Sequence, residues 1–333
     1  MLEAPGMADS ADHTPTIGDT VVFGFGPQGR AQAENLRDSG ARVSVCVREA
    51  SPRADQVRAA GIPVIHDPGD AASKATNAVV LIPDSKQPEF YRRCLHGNLP
   101  AKAALVFAHG FNVHYGRIVP REDIDVILVA PLAHGEFVRR GFRERGSVPC
   151  VIAVHQDASG RAWDRARGYA RAIAGRGPFI ESTFAEEVET DLFAEQSVLC
   201  GGMPELVRAA FDTLVDGGYN ADIAYFSCLR ELKAIADIIW RDSIAGMRGQ
   251  ISDTAQYGSI TRGRRLIDED VRSRLRDVLG EIRSGQFAEE LMADEREGFP
   301  TLKNAMDEES DHAIERIHRK HNCDEDQRET KKS

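Results

Sequence analysis

The sequence predicts an α/β protein whose first half forms a parallel, doubly wound sheet and whose second half is all-helical. Short β-branched runs alternate with helical or loop stretches as far as residue 182, a pattern typical of parallel sheets. Beyond that point these runs stop, and amphipathic stretches with apolar residues three or four positions apart replace them. A chain of 333 residues also exceeds the usual size of one core, so we expect two domains.

Six short apolar runs in the first half are predicted strands. They cover residues 20–25, 43–47, 79–82, 104–108, 126–129 and 151–154. A helix is predicted from about Gln28 to Ser39, directly after the first strand, and Gly40 ends it. We therefore place the sheet domain at residues 18–182, preceded by a flexible leader over residues 1–17.

The helical domain is predicted over residues 183–320. Its longest amphipathic stretch, residues 225–247, is expected to form a core helix because its apolar residues recur at helical spacing. These residues are Phe226, Leu229, Leu232, Ile235, Ile238 and Ile239. The tail, residues 321–333, is charged and has almost no large apolar side chains, so we expect it to be flexible.

Composition excludes several classes of function. The formal net charge of -10 would repel a polyphosphate backbone, which argues against nucleic acid as a partner. The six cysteines are scattered and suggest a reducing cytoplasm rather than a disulfide framework. The chain has no apolar run of roughly 18 residues and no apolar leader, so we expect neither a membrane span nor export.

A glycine-rich turn follows the first predicted strand. Gly24, Gly26 and Gly29 form G-x-G-x-x-G between a strand and a helix, and Gln28 lies within the motif. In this context the first glycine permits a tight turn, the second lets the backbone approach a pyrophosphate, and the third allows close helix–strand packing. We expect a dinucleotide to bind here, with an ordinary glycine-rich turn as the alternative.

The residues after the second strand favour NADPH over NADH. Arg48 stands where an NAD site places a carboxylate for the ribose hydroxyl, and Glu49 comes one residue too late. Arg48, Ser51 and Arg53 offer two guanidinium groups and a hydroxyl, which suit a 2'-phosphate. The alternative is a solvated basic loop.

Four further residues are candidates for chemistry. Asp191 and Glu195 lie four residues apart, so both carboxylates can face one side of a helix and hold a hard cation; from the residues alone, a solvated acidic face is favoured. His109 follows an apolar strand at the edge where parallel sheets bind ligands, although a histidine there is more often structural. Ser252 is favoured as a helix cap from the residues alone.

Several longer motifs resemble those of class I ketol-acid reductoisomerases, in order and at that family's spacing, over about residues 18–320. They are DTVVFGFGPQGRAQAENLRDSGARV, FAHGFNVHYGRIVP, VPCVIAVHQDASG, ETDLFAEQSVLCGG, ISDTAQYG and TRG. The resemblance implies a Rossmann domain, an intertwined (knotted-type) helical domain, and an active site shared across a dimer. It also implies two Mg2+ ions that assist an alkyl migration in 2-acetolactate, followed by reduction with NADPH.

The same resemblance implies roles for individual residues. Asp191 and Glu195 match metal ligands of the first metal-binding helix, and Glu231 matches a ligand on the second. His109 matches an active-site histidine, and Ser252 matches a serine that binds the substrate carboxylate. We therefore expect His109, Asp191 and Glu231 to be catalytic, and Asp191, Glu195 and Glu231 to hold metal.

Three positions depart from the family pattern. Ser227 replaces the first glutamate of the second metal-binding helix, and a serine hydroxyl is a weak ligand for Mg2+. Leu132 replaces a lysine that contacts the metal-bridging aspartate, and Gln256 replaces a glutamate. These changes gather at the metal and substrate site while the glycine motif is intact, so we expect one Mg2+ ion rather than two.

Three functions are consistent with the sequence. The first is an NADPH-dependent reductase of a 2-oxo acid or a related carbonyl or imine, with isomerisation impaired or redirected. The second is a genuine Mg2+-dependent ketol-acid reductoisomerase that converts 2-acetolactate to 2,3-dihydroxy-3-methylbutanoate for valine and isoleucine synthesis. The third is a non-catalytic, cofactor-binding paralogue. In each case we expect a homodimer or larger homo-oligomer, and in the first two a small-molecule substrate.

Overall fold

The computed structural model describes residues 17–330, with side chains as far as residue 321. It divides into two compact units, of which one ends at Val188 and the other begins at Glu189. The boundary expected from the sequence lies six residues earlier, at residue 182. The predicted leader, apart from residue 17, and residues 331–333 of the predicted tail lie outside the described residues.

The first unit is built on an eight-stranded sheet with strand order β3-β2-β1-β4-β5-β6-β7-β8. The strands are β1 Thr20–Phe23, β2 Val43–Cys46, β3 Val64–Ile65, β4 Asn77–Val80, β5 Ala104–Phe107, β6 Asp125–Pro131, β7 Cys150–Gln156 and β8 Phe179–Ser182. All six predicted strands are confirmed, with ends shifted by up to two residues. The sequence analysis missed β3, which has only two residues, and β8.

The predicted all-parallel sheet has one exception, because β7 runs antiparallel to β6. The other neighbouring strands pair in parallel. The chain returns after β6 to the same edge of the sheet, where the Leu132 N–H donates to the Pro149 carbonyl at 2.9 Å. Strand β7 therefore starts beside the end of β6, with Cys150 opposite Pro131, and runs back along it.

Eight helices belong to the sheet unit or start in it. They are α1 Pro27–Asp38, α2 Arg53–Ala59, α3 Pro68–Ser73, α4 Gln87–Phe90, α5 Phe111–His114, α6 Gly135–Arg145, α7 Ala162–Ala174 and α8 Phe184–Ala194. A 3-10 turn, Asp84–Lys86, precedes α4, and a π-helical segment, Tyr91–Leu95, follows it. The predicted helix over residues 28–39 is α1.

Both faces of the sheet are buried, so its strands are apolar on both sides. Val22 and Val106 pack in one cluster with α1 and α7. Their chain neighbours Val21 and Leu105 pack in a second cluster on the opposite face. This alternation follows from the two-residue repeat of a strand. The carboxyl ends of the parallel strands lie together at one edge of this sheet, whose two faces are both buried.

The second unit is helical, as the sequence predicts, and its described part contains no strand. Its helices are α9 Gly202–Asp216, α10 Ala221–Tyr225, α11 Glu231–Arg248, α12 Asp253–Leu266, α13 Glu269–Ser284, α14 Gln286–Arg296, α15 Pro300–Ser310 and α16 Ala313–Thr330. Two π-helical segments, Glu195–Leu199 and Phe226–Arg230, extend α8 and connect α10 to α11. The tail predicted to be flexible is helical as far as Thr330. Within residues 17–330, no helix is long and apolar enough to span a membrane.

The prediction of a core helix over residues 225–247 holds only at its start. The small core of this unit consists of Val207, Phe211, Ala224, Tyr225 and Ile314, and Leu229 and Leu232 pack against it. Helix α11, which forms most of the predicted stretch, has no buried residue, and Trp240 on it is 81% exposed. The periodicity correctly indicates an apolar helix face, but periodicity does not say whether the same chain supplies the surface that covers it.

Candidate functional site

The glycine turn connects β1 to α1 at the carboxyl edge of the sheet. Gly24 has φ of 103°, a conformation that favours glycine, and its N–H donates to the Cys46 carbonyl at 3.1 Å. A Cβ at Gly24 would lie 2.6 Å from the Leu81 carbonyl oxygen, and one at Gly29 would lie 2.5 Å from the Gly24 carbonyl oxygen. The protein backbone therefore needs glycine at both positions in order to pack this closely.

Gly26 differs from the other two glycines because its α-carbon faces open space. The nearest atom to a Cβ built there is Nη1 of Arg53, at 3.6 Å. Gly26 also precedes the first residue of α1, Pro27, so the free N–H groups of this twelve-residue helix begin here. An open backbone at a helix N-terminus suits a pyrophosphate. The structure thus brings the predicted motif and Arg53 together.

The other two predicted phosphate ligands, Arg48 and Ser51, precede Arg53 in the turn between β2 and α2. The Ser51 N–H donates to the Arg48 carbonyl at 2.9 Å, and the Arg53 N–H donates to the Ser51 hydroxyl oxygen at 3.3 Å. The Arg48 and Arg53 side chains are exposed. The sequence analysis overlooked His66, whose Nδ1 lies 3.1 Å from the Val47 carbonyl oxygen at the same edge. Because β3 is so short, no sequence signal placed His66 beside β2.

His109 follows β5 and is paired with a buried carboxylate. Its Nδ1 lies 3.3 Å from Oε1 of Glu187, and the N–H of Gly110 donates to Oε2 of the same carboxylate at 3.2 Å. Glu187 is only 5% exposed. The sequence analysis missed Glu187, although it lies one helical turn before Asp191 and two turns before Glu195. The four-residue spacing of Glu187, Asp191 and Glu195 was the sequence pattern that could have indicated Glu187.

Asp84 follows β4, the strand next to β5, and lies in the same group of polar side chains. The Gln87 amide donates to Oδ1 of Asp84 at 2.8 Å and accepts from the Asn112 amide at 3.0 Å. Surrounding protein atoms displace water and raise the pKa of Asp84; the nearby His109 lowers it, and Glu187 raises it further. The ends of β4 and β5 therefore carry linked polar and ionisable groups, as expected at this edge.

The loop after β6 lies against the glycine turn. A Cβ at Gly135 would lie 2.3 Å from the backbone of Pro27, and the Gln28 amide donates to the Ala133 carbonyl at 2.8 Å. Leu132, at a position where the resemblance implies a lysine, is 55% exposed on this loop. An apolar side chain thus stands at the edge of the sheet beside the predicted dinucleotide site.

The remaining predicted metal positions lie on helices near π-helical segments. Asp191 lies in the last turns of α8, and Glu195 begins the π-helical segment that continues it. Ser227 lies inside the second π-helical segment, and Glu231 is the first residue of α11. Segments of this kind often occur at functional sites. A role for these residues in binding metal remains a prediction.

Ser252 precedes α12 as its N-cap. Its hydroxyl oxygen accepts from the Ala255 N–H at 3.3 Å, and its carbonyl accepts from the Gln256 N–H at 2.8 Å. The helix-cap interpretation of Ser252 is therefore confirmed, whereas binding of a substrate carboxylate stays a prediction. Gln256 donates through its side chain to the Ile251 carbonyl at 3.1 Å and so also stabilises the start of α12.

The sheet order, with a glycine turn between the central strand β1 and α1, defines a dinucleotide-binding Rossmann domain. A histidine held by a carboxylate at the same edge fits the class of nicotinamide-dependent oxidoreductases. Comparison with known families specifies this class further. Residues 18–177 match the acetohydroxy acid isomeroreductase NADPH-binding domain, and residues 184–322 match the ketol-acid reductoisomerase C-terminal domain. The chain belongs to the ketol-acid reductoisomerase family and is an NAD(P)H-dependent oxidoreductase.

Solved structures support this assignment. An NADH-preferring ketol-acid reductoisomerase from an uncultured archean is 36% identical, with a TM-score of 0.89 over 92% of this chain and 95% of that one. A semialdehyde dehydrogenase NAD-binding protein from Cupriavidus necator is 16% identical, with a TM-score of 0.61 over 80% and 99%. A pyrroline-5-carboxylate reductase from Coxiella burnetii is 12% identical, with a TM-score of 0.55 over 80% and 97%. The last two show similarity of fold alone.

Proposed function

We propose that this protein is an NADPH-dependent reductase of a 2-oxo acid or a related carbonyl or imine, in which the alkyl migration of its family is impaired or redirected. The observation that carries the proposal is Leu132, an exposed apolar side chain on the loop that contacts the glycine turn, at a position where the family resemblance implies a lysine. The lost charge weakens any electrostatic support for a metal-bridging aspartate. Migration needs that support more than carbonyl reduction does.

The His109–Glu187 pair suits the reduction step. The bound dinucleotide supplies a hydride, so the substrate oxygen must gain a proton. Glu187 contacts His109 at Nδ1, and this contact limits rotation of the imidazole ring. The Gly110 N–H donates to the second oxygen of this carboxylate and so holds the carboxylate in place. The pair therefore has the chemistry of a general acid held in one orientation.

The donor set favours one Mg2+ ion over two. Asp191 and Glu195 lie four residues apart on one continuous helix, and two carboxylates suit a hard divalent cation. On the second helix only Glu231 offers a carboxylate, because Ser227 contributes a neutral hydroxyl. When bound, the ion would polarise the carbonyl of the substrate.

We also propose a preference for NADPH over NADH. Arg48 and Arg53 are cationic and exposed, and Arg53 lies beside the open Gly26 backbone. The solved relative described as NADH-preferring shows that the preference varies within the family, so these residues must be tested directly. Arg48→Ala combined with Arg53→Ala is expected to raise the Kd for NADPH about 30-fold or more and to change that for NADH less than about threefold. Equal losses for both cofactors would contradict the preference.

A homodimer is the proposed assembly. Trp240 and Ile244 on α11 and Tyr257 on α12 are large apolar side chains exposed on the isolated chain. Such surfaces normally mark a protein interface. A second copy of the chain is the proposed cover, in line with the shared active site that the family resemblance implies. The cytoplasmic location expected from the cysteines stays a prediction.

A genuine ketol-acid reductoisomerase is the second candidate, favoured by the family membership and by Asp191, Glu195 and Glu231. Oxidation of NADPH with 2-acetolactate and, separately, with 3-hydroxy-3-methyl-2-oxobutanoate, each with and without Mg2+, separates the two. Turnover of only the second substrate would support the reductase. Efficient Mg2+-dependent turnover of both substrates would favour the ordinary ketol-acid reductoisomerase reaction. A protein that turned over neither substrate and did not bind NADPH would rule out both candidates.

Restoring the lost charges gives a stricter test. The double change Leu132→Lys and Ser227→Glu is expected to raise Mg2+-dependent turnover of 2-acetolactate by at least about tenfold, since each charge should contribute more than 1 kcal/mol. Leu302→Lys is the matched control, because Leu302 is a similarly exposed leucine outside the site. An unchanged rate in the double variant would mean that these positions do not limit migration.

A further inference from the structure

A continuous series of side-chain hydrogen bonds runs through the sheet unit from α7 to the loop after β6. The Tyr169 hydroxyl donates to the Gln32 side-chain oxygen at 2.8 Å, and the Gln32 amide donates to the Gln28 side-chain oxygen at 3.2 Å. The Gln28 amide then donates to the Ala133 carbonyl at 2.8 Å. These hydrogen bonds join α7, α1 and the loop after β6, and each donor–acceptor pair points from Tyr169 towards Ala133.

Each member of the series has its orientation fixed by its neighbour. Tyr169 and Gln32 are fully buried, and burial raises the pKa of the Tyr169 hydroxyl well above its ordinary value, so this hydroxyl keeps its proton and acts as a donor. Gln32 must then accept through its oxygen and donate through its nitrogen. The same constraint passes to Gln28 and turns its nitrogen towards Ala133.

Both polar ends of the Gln28 side chain are therefore bonded to protein, although this residue lies inside the dinucleotide motif. We infer that Gln28 is a positioning residue that fixes the substrate-side loop, Leu132 to Gly135, against the dinucleotide turn, rather than a side-chain ligand of the cofactor. This inference deepens the proposed function and rests on it for the effect on turnover. The close backbone contact between Gly135 and Pro27 also holds this loop against the dinucleotide turn.

Loss of the Gln28 bond has a specific consequence. The glycine turn keeps its own backbone bonds, such as that from the Arg30 N–H to the Gly26 carbonyl at 2.8 Å, so the dinucleotide site is preserved. The loop loses an anchor on one side of Leu132. Substrate alignment against the cofactor should then deteriorate while cofactor binding does not, because small displacements at a reacting centre lower the rate strongly.

The first variant is Gln28→Met, which keeps side-chain length and removes both polar ends. It is expected to leave the Kd for NADPH within about threefold, to lower kcat for the reduced substrate about tenfold, and to change KM less than kcat. Hydrogen exchange of the peptide 132–138, which contains the bonded amides of Leu132 and Val138, should accelerate about tenfold. Gln286→Met, an exposed glutamine on α14, is the matched control and should change none of these values.

A second variant, with a smaller expected effect, changes the opposite end of the hydrogen-bond series. Tyr169→Phe removes only the terminal donor, so it should accelerate exchange of peptide 132–138 by a smaller factor, about threefold, with NADPH affinity unchanged. It also serves if Gln28→Met does not fold. Unchanged exchange in 132–138, or a loss of NADPH affinity with unchanged kcat, would overturn the inference. Exchange and NADPH titration give this result even if the wild-type protein reduces neither test substrate, so failure of the proposed function is recognised separately.

Discussion

The two units of the molecule bury their apolar residues in different ways. In the sheet unit, strands such as β5 and β6 are covered on both faces by helices of the same chain, and Leu105 and Ile127 are fully buried. In the described part of the helical unit, α11, α12 and α15 bury no residue at all. The sheet unit thus buries its apolar residues within one chain, whereas α11, α12 and α15 of the helical unit leave theirs uncovered, and the proposed second copy would cover them.

Thiol reactivity should give the largest contrast. Burial raises the pKa of Cys150 to about 12 from an ordinary value of 9, and that of Cys46, with help from Asp67, to about 12. Since thiolate is the reactive form, this shift alone slows alkylation about a thousandfold, before access is considered. Cys200 in the helical unit is exposed. Maleimide labelling of a Cys323→Ser variant at pH 7, followed by peptide mapping, should modify Cys200 long before Cys46 or Cys150. Comparable labelling of all three would mean that the sheet opens readily.

A core deletion should be costly in the sheet unit at any protein concentration. Leu105→Ala removes a fully buried side chain packed in a closed layer and is expected to lower the free energy of unfolding by about 3 kcal/mol. The half-buried Ile235 on α11 is the comparison, because Ile235→Ala should cost less at low concentration and more once a dimer covers it. Urea unfolding at two protein concentrations separates these outcomes. A strong concentration dependence for Leu105→Ala would contradict the view of a self-contained sheet.

An interface residue of the helical unit should change assembly and leave the fold intact. Trp240→Ala removes a side chain that is 81% exposed on the single chain, and we expect it to weaken the dimer by about 2 kcal/mol, or roughly 30-fold in Kd. Val119→Ala in the sheet unit, at 76% exposure, is the control and should leave Kd unchanged. Sedimentation velocity over a dilution series measures both. If Trp240→Ala leaves Kd as it was, α11 is not the interface.

The smallest expected effect concerns Ser252. Ser252→Ala removes the cap of α12 and should cost about 1 kcal/mol of stability, whereas Ser252→Asp, another good cap, should retain stability. If Ser252 also binds a substrate carboxylate, Ser252→Asp should lose activity because the two negative charges repel each other. Thermal unfolding together with KM for the substrate distinguishes the two roles. Full activity in Ser252→Asp would leave only the cap.

Local sequence patterns predicted much of this fold. β-branched runs located six strands, the glycine spacing located the turn around Gly26, and the basic residues led to Arg53 beside it. These features are local, so a single sequence contains their cause. The orientation of β7 is different, because it is set by its antiparallel pairing with β6, which forms only after the chain has folded back.

Residues that act through distant partners were harder to predict. Glu187 was overlooked because its partner His109 lies 78 positions away, and no sequence signal indicated that the Gln28 amide bonds Ala133, a residue 105 positions away. Helix α11 was assigned to a core because its periodicity indicates an apolar face without indicating what covers it. Contacts between residues far apart in the chain, and for α11 the proposed contact with a second copy, account for these differences.

The π-helical segment Phe226–Arg230 changes how the second predicted metal-binding helix can evolve. Such a segment contains one residue more than the α-helical turn it replaces, and each residue turns a helix by about 100°. If the segment straightened into α-helix at the same chain length, Glu231 and all of α11 would rotate by about 100° relative to α10 without altering a single side chain. The direction in which that carboxylate points thus depends on the helical form that takes up the extra residue, and a change of helical form offers this helix a route to new chemistry that substitutions do not.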